Sequence, residues 1–322
     1  MKKTLRVDIA NQTFYPDVLS LLRRIPNSSL FHTKHSFRHP AAIYLLSLIQ
    51  LASDFDRLLK NYAAIRNSQG KSNLLHEQIA QSQRILIYSM REHIDDCQMI
   101  LMCLVDPDRF SPQGKSPDDF LKAAGFTEQK LFWNGVCSYM NSYLIPLVNK
   151  LKHSQGRIRT LVIECPGNDF RPGFYLEEVI GTEIAQPSQE LHKGYSAFSF
   201  AKDIRSNLAL VFRASQSLQE AIEAFVKRSR ITLLPGGNDP STPGIWREVC
   251  CNVAQLDIGI FPNEVKSRFY RVDIQSAGEF RIREIERDQK LIFPKGNIKF
   301  KVNETIDGMT KSYQLPTFKR WL

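Results

Sequence analysis

The stretch that most constrains this chain runs from Leu131 to Arg159, LFWNGVCSYMNSYLIPLVNKLKHSQGRIR. Leu131, Val136, Met140, Tyr143, Leu144, Leu147, Val148 and Leu151 recur at three- and four-residue steps and form one apolar stripe. Such a stripe predicts a long helix that other elements must cover. Two similar patterns precede it. Ile43, Leu46, Ile49, Phe55, Leu58, Leu59 and Tyr62 follow Pro40, a first-turn proline, and about thirty residues from Leu75 to Leu104 repeat the period after the break NSQGKSN. A fourth pattern lies in SFAKDIRSNLALVFRASQSLQEAIEAFVK, through Phe200, Ile204, Leu208, Val211, Phe212, Leu218, Ile222 and Phe225. Four long helices of this kind predict a bundle. Ser116 and Pro117 open a short helix through Ala124, Pro146 predicts a kink in the third long helix, and Gly156 is positioned to stop it.

Between the third and fourth helices the period changes. RTLVIEC and GFYLEEVI read as strands around the turn-rich PGNDFRPG, which makes a hairpin inserted before the last helix. After Ser229, LLPGGNDPSTPG marks a boundary. Beyond it, NVAQLDIGIF, SRFYRVDIQ, EFRIREIE, LIFP, IKFKVNE and SYQL read as short strands, with the charged side chains of FRIREIER and KGNIKFKV on an outer face. The expected class is α+β: an arm over 1–39, a helical bundle over 40–228, a linker over 229–247 and a β-rich module over 248–322. The arm carries a short helical piece around Pro16 to Arg24.

The charge is +10, and its distribution matters more than its total. Between Leu144 and Ile163 no acidic residue occurs, while Lys150, Lys152, Arg157 and Arg159 fall close together. Such a patch suits phosphate groups; equally, cations are favoured at any helix C-terminus. Six cysteines without a C-x-x-C pair fit a reducing cytoplasm and argue against zinc. No segment reaches the roughly 20 apolar residues of a membrane span, and MKKTLRVDIANQ meets Arg6 and Asp8 too early for a signal peptide. The expected protein is soluble and cytoplasmic.

The motifs of nucleotide hydrolysis, dinucleotide binding, serine hydrolysis and zinc proteolysis are missing from the sequence. His32, His35 and His39 are spaced for one helical face, yet Lys34 and Arg38 between them would repel a cation, so no metal is assigned. What remains is Asn149, Lys152 and His153, with His153 one turn after Asn149. Histidine exchanges protons near neutral pH, and beside cations it can take a proton from a ribose 2′-hydroxyl while they hold the phosphate. The same residues also suit a helix end bonded to the inserted hairpin.

A bundle of long helices carrying VNKLKHSQGRIR near the end of the third, followed by strands containing GFYLE, resembles the HEPN superfamily over roughly residues 40–228. The resemblance implies a helical, often dimeric protein of toxin, antiphage or RNA-processing systems, whose active members cleave RNA without metal or cofactor. It puts Asn149 at the motif's polar position and His153 at its histidine. The arginine position falls on Val148, and no arginine precedes any of the seven histidines with four to six residues between. Two functions are therefore expected. One is a metal-independent ribonuclease or RNA-binding protein, with His153, Asn149 and Lys152 as catalytic residues and Lys150, Arg157 and Arg159 on nucleic acid. The other is a non-catalytic adaptor whose bundle assembles with a protein partner, an antitoxin or a second copy, and whose β module recognises a ligand.

Overall fold

The computed structural model describes residues 4–7, 14, 16–109, 116–153, 156–165, 169–180, 184–192, 197–236, 244–257, 259–261, 264, 269–274, 280–285, 301–306 and 309–314. Strand β1, Thr4–Val7, precedes helix α1, Val18–Arg24. The first long helix is α2, Pro40–Asn67, and it starts where the sequence says it must: Pro40 occupies the first turn, and the His39 ring accepts from the Ala41 N–H at 3.2 Å. It stops at Gly70, whose φ of 71° is the left-handed conformation glycine adopts without strain and whose N–H returns to Ile65 O. Helix α3, Asn73–Met102, runs back along α2. The short α4, Pro117–Ala123, is capped by Ser116, which accepts from the Asp119 N–H and donates to Asp119 Oδ2 at 2.7 Å.

The third long helical stretch is broken where Pro146 predicts a kink, and the break has a defined form. Helix α5, Gln129–Tyr139, passes into a π-helical turn, Met140–Leu144, and then into α6, Ile145–His153. The Ile145 N–H reaches back five residues to Met140 O. The wider turn lets the chain pass Pro146, which has no N–H to give and whose ring would crowd the carbonyl four residues earlier. Leu131 is exposed and Phe132 takes the buried place. Gly156 ends the segment as expected, its N–H on Lys150 O at 3.1 Å.

The inserted hairpin is present and larger than its sequence suggests. β2, Arg157–Cys165, pairs antiparallel with β3, Asp169–Ile180, so Asp169 to Gly173, expected in the turn, belong to the strand. β4, Ile184–Pro187, extends β3, and after α7, Gln189–His192, the two-residue β5, Phe198–Ser199, pairs with β3 at Gly173 and Phe174. The last long helix is α8, Phe200–Arg228. From 200 to 215 every residue but Lys202 and Arg213 is buried, so this part of α8 is enclosed on all sides. The 216–228 part keeps the expected one-sided pattern, with Leu218, Ala221 and Ile222 buried and Gln216, Glu220 and Glu223 exposed.

Beyond it the first expected strand is wrong. Residues 252–255 of NVAQLDIGIF close helix α9, Gly244–Gln255, because Trp246, Val249, Cys250 and Val253 form a helical stripe that packs into the bundle core. β6, Phe269–Ile274, and β7, Phe280–Ile285, do form a hairpin, and β1 adds to its other edge, Val7 opposite Phe280, in the order β1, β7, β6. The amino-terminal arm thus supplies a strand to the carboxy-terminal sheet. Phe280 packs edge-on against Phe14, with ring centroids 5.6 Å apart, and against Phe212 of α8 at 5.3 Å. One hydrophobic core therefore runs from Phe14 to Ile282, across the 229–247 segment. β8, Lys301–Ile306, pairs with β9, Met309–Gln314; LIFP and most of KGNIKFKV lie outside the described residues. No helix among the described residues is long and apolar enough to cross a membrane.

The junction of hairpin and bundle is tightest at Gly173. A Cβ there would meet the Phe261 ring and come within 2.5 Å of the Phe198 carbonyl oxygen, which the β5 pairing holds in place. Gly173→Ala is expected to destabilise the protein by about 1–3 kcal/mol in urea unfolding, as over-packing does. A variant as stable as the parent would contradict this contact.

Candidate functional site

The residues singled out from the sequence lie at the end of α6 and the start of β2. Asn149, Lys152, His153 and Arg157 are exposed. The Lys152 ammonium sits over the Tyr88 ring, 5.6 Å from its centroid, and the Arg84 guanidinium of α3 lies over the same ring at 5.6 Å. Lys150 and Arg159 are placed differently. Lys150 Nζ contacts Glu178 Oε2 at 2.7 Å and Glu190 Oε2 at 3.2 Å, and its side chain is only 17% exposed. Burial works to lower its pKa, but the two carboxylates outweigh it and hold the ammonium charged beyond its ordinary range. Arg159 gives both Nε and an Nη to Glu177 Oε1, at 3.2 and 3.1 Å. Two of the four cations of the basic run thus bind α6 and β2 to β3 and α7. Val148, at the motif's arginine position, is buried. The histidines are also spent separately: His35 bonds Val105 O at 2.9 Å, His39 caps α2, and the His32 ring lies 5.3 Å from that of His39. Among the described residues no group of three or more His, Cys, Asp or Glu could hold a metal ion.

A second constellation has more of what a binding or reacting site needs. A cavity of about 280 Å³ opens between α5, α8 and the carboxy-terminal sheet. Gly135, Ser138 and Tyr139 of α5, with Ser142 and Tyr143 of the π turn, form one wall. Lys202, Asp203, Ser206, Ala209, Leu210 and Arg213 of α8 form the second, and Phe198, Glu264, Tyr270 and Glu284 complete it. Asp203, in the first turn of α8, is its most constrained member. Its Oδ1 accepts from the Tyr143 hydroxyl; its Oδ2 accepts from Gln83 Nε2 of α3 at 2.6 Å and from Asn207 Nδ2 at 2.8 Å. Asn207 in turn accepts from the Tyr139 hydroxyl at 3.0 Å. The π turn matters here, since it brings Tyr143 to the carboxylate while α5 holds Tyr139 on the neighbouring amide.

Burial pushes the Asp203 carboxyl up to about 6, against the hydrogen bonds from Tyr143 and Gln83 that favour its charged form. Glu264 is raised for the same reason, although Lys202 lies 3.8 Å away and the Ser199 hydroxyl at 2.5 Å, the Ser199 N–H at 3.1 Å and the Phe261 N–H at 2.8 Å all favour its ionised form. Burial also drives the Tyr139 and Tyr143 phenols well above their ordinary range, with the Asp203 charge adding to it, so both remain donors. The arrangement offers a carboxylate balanced near neutral pH, neutral donors fixed around it, and aromatic walls. Chemically it can hold a cation, accept a hydrogen bond or exchange a proton.

The sequence reading missed this site. Asp203 and Asn207 have the same i, i+4 spacing as Asn149 and His153, but the amphipathic reading of α8 assigns its polar residues to solvent. Glu264 and Gln83 join it only through the tertiary fold, which no local spacing reveals. Comparison of the chain with protein-family models, with curated proteins and with solved structures finds no match.

The raised Asp203 value means that the folded state holds this proton more tightly than the unfolded chain, whose carboxyl titrates at 3.8. The resulting stabilisation is complete below that value and is lost as pH rises through about 6. Relative to Asp203→Asn, the parent protein should therefore lose up to about 3 kcal/mol of stability between acid and neutral pH. Urea unfolding of both proteins at pH 4 and pH 7.5 measures it; a pH-independent difference would contradict the burial of this carboxyl.

Proposed function

We propose that this protein is a non-catalytic binding or adaptor protein, in which the bundle and the carboxy-terminal sheet close together on a small polar ligand held in the tyrosine and carboxylate cavity. One observation carries this reading: Asp203 is buried in the cavity wall, ringed by three donors. Taking a carboxylate out of water costs several kcal/mol even after relaxation, and an apolar residue there would serve stability better. Such expense concentrates at working sites. Because α5, α8, Glu264, Tyr270 and Glu284 all contribute, an occupant would tie bundle to sheet, and occupancy would be felt at whatever surface meets a partner protein or second copy. Six free cysteines, three of them, Cys97, Cys103 and Cys250, with thiols that burial pushes above their ordinary range, fit a reducing, cytoplasmic setting. A thermal-shift screen of polar metabolites tests the reading. Compounds that raise Tm in the parent and fail in Ser142→Trp, which obstructs the cavity from its exposed rim, are expected; a screen in which no shift depends on Ser142 would contradict it.

The second reading is a HEPN-like, metal-independent ribonuclease or RNA-binding protein of an antiphage or toxin-type conflict system, with His153 as acid or base, Asn149 orienting, and Lys152 and Arg157 on phosphate. What favours it is the half-buried Tyr88 ring between Arg84 and Lys152, the latter next to His153 in sequence, since cations beside an aromatic ring suit a single strand of nucleic acid. It requires cleavage of end-labelled RNA in excess chelator that His153→Ala abolishes. The binding-protein account predicts the same background with both proteins.

A further inference from the structure

The residues facing the cavity also restrict what can occupy it. Three carboxylates line it, Asp203, Glu264 and Glu284, against two cations, Lys202 and Arg213. Each cation stands beside a carboxylate: Lys202 is 3.8 Å from Glu264, and Arg213 is 3.8 Å from Glu284. Asp203 takes its hydrogen bonds from the Tyr143 hydroxyl and the Gln83 and Asn207 amides, and it stands in neither of these two pairs, Lys202 acting on its charge only from further away. Neutral donors stabilise a charge without cancelling it. An ionised carboxylate has about four acceptor positions, and Oδ1, which takes the Tyr143 hydroxyl, has room for one donor more. Aromatic rings line the same cavity. Tyr139 and Tyr143 lie 5.2 Å apart at 54°, and Tyr143 meets Phe198 edge-on at 5.4 Å, with Tyr270 also in the lining. Ring faces carry negative potential and favour organic cations. A cavity of about 150 Å³ holds benzene. At about 280 Å³ this one admits a ring with a short amine-bearing chain.

We infer that the cavity takes a small organic ammonium compound, an arylalkylamine in size, whose protonated nitrogen pairs with Asp203 while its apolar part lies among Tyr139, Tyr143, Phe198 and Tyr270. This rests on the binding-protein reading and specifies its ligand class. An anion is disfavoured because Lys202 and Arg213 stand beside glutamates and the lining holds one carboxylate in excess. Binding of the amine is linked to pH through Asp203, which must be ionised. The groups facing it are Tyr139 from α5, Tyr143 from the π turn, Lys202 from α8, Glu264 beyond it and the uncharged Gln83 of α3. Both phenols remain protonated well past neutrality, so the Asp203 carboxyl governs the acid limb.

The test is calorimetric titration of the full chain with three compounds of one shape: tyramine, its neutral analogue tyrosol, and 4-hydroxyphenylacetate. Tyramine is expected to bind at pH 7.5 at least about ten-fold more tightly than tyrosol, and to weaken about ten-fold by pH 5, where Asp203 is mostly protonated and the amine is still charged. Asp203→Asn should erase the preference over tyrosol. Should that variant fold poorly, the pH profile of the unmodified protein decides alone. If tyrosol or the acid binds as well as tyramine, or if the preference survives Asp203→Asn, the ammonium assignment is overturned while the cavity remains a binding site. If none of the three binds, the assignment also fails, and the Ser142-dependent metabolite screen shows separately whether the binding-protein reading fails with it.

Discussion

The burial of residues 200–215 of α8 around almost the whole circumference is the constraint on which the other elements depend. A helix enclosed in this way must satisfy every polar side chain it carries, because water cannot. Asp203 therefore requires Gln83 from α3 and Tyr143 from the π turn, and Asn207 requires Tyr139. Arg205 is satisfied by carbonyls: it donates to Ala201 O within α8, to Leu256 O, and to Asp257 O at 2.9 Å, so it caps the end of α9. Within 200–215, the two residues that are not buried, Lys202 and Arg213, border the cavity. Site and core are made by the same few turns.

Around that axis, charge is used mainly for joining elements. Arg66 at the end of α2 reaches both Asp169 of β3 and Asp257 beyond α9, and Arg171 holds Asp169 at 2.6 Å and Ile260 O at 2.9 Å. Arg228 at the end of α8 grips Glu128 at the start of α5 with two nitrogens. In the carboxy-terminal sheet Asp273 of β6 receives Arg271 of its own strand at 2.9 Å and Arg283 of β7 at 2.5 Å, so much of the charge expected on an open outer face is paired within the hairpin. A total of +10 therefore overstates the basic surface available to a polyanion, and the paired Lys150 and Arg159 are the clearest instance.

The long helices were legible because burial imposes a period on sequence, and boundaries were legible where Pro40, Ser116 and Gly156 act on neighbouring backbone; the His39 cap was not. The π turn was not, since Met140, Tyr143, Leu144 and Leu147 keep an apparently helical period through it; only Pro146 hinted at a break. α9 was missed because its first residues fell in the proline- and glycine-rich 229–247 linker, and Val253, the last of its stripe, was read into the extended run NVAQLDIGIF. The pairing of β1 with β7 joins residues almost 280 positions apart, and no local signal carries it. The same holds for the candidate site. The residues chosen from the sequence were adjacent in the chain, whereas those around Asp203 come from α3, α5, the π turn and α8, with Glu264 and the sheet closing the cavity.

The central claim is that Asp203 is a buried, nearly neutral-titrating carboxylate in the wall of the cavity between α5, α8 and the carboxy-terminal sheet. Carbon-detected NMR titration of its side-chain carboxyl in the full protein, assigned by comparison with Asp203→Asn, measures this directly. A midpoint of about 6 is the predicted result. A midpoint of about 4, the value of a solvated aspartate, would contradict it and remove the physical basis for the cavity as a binding site.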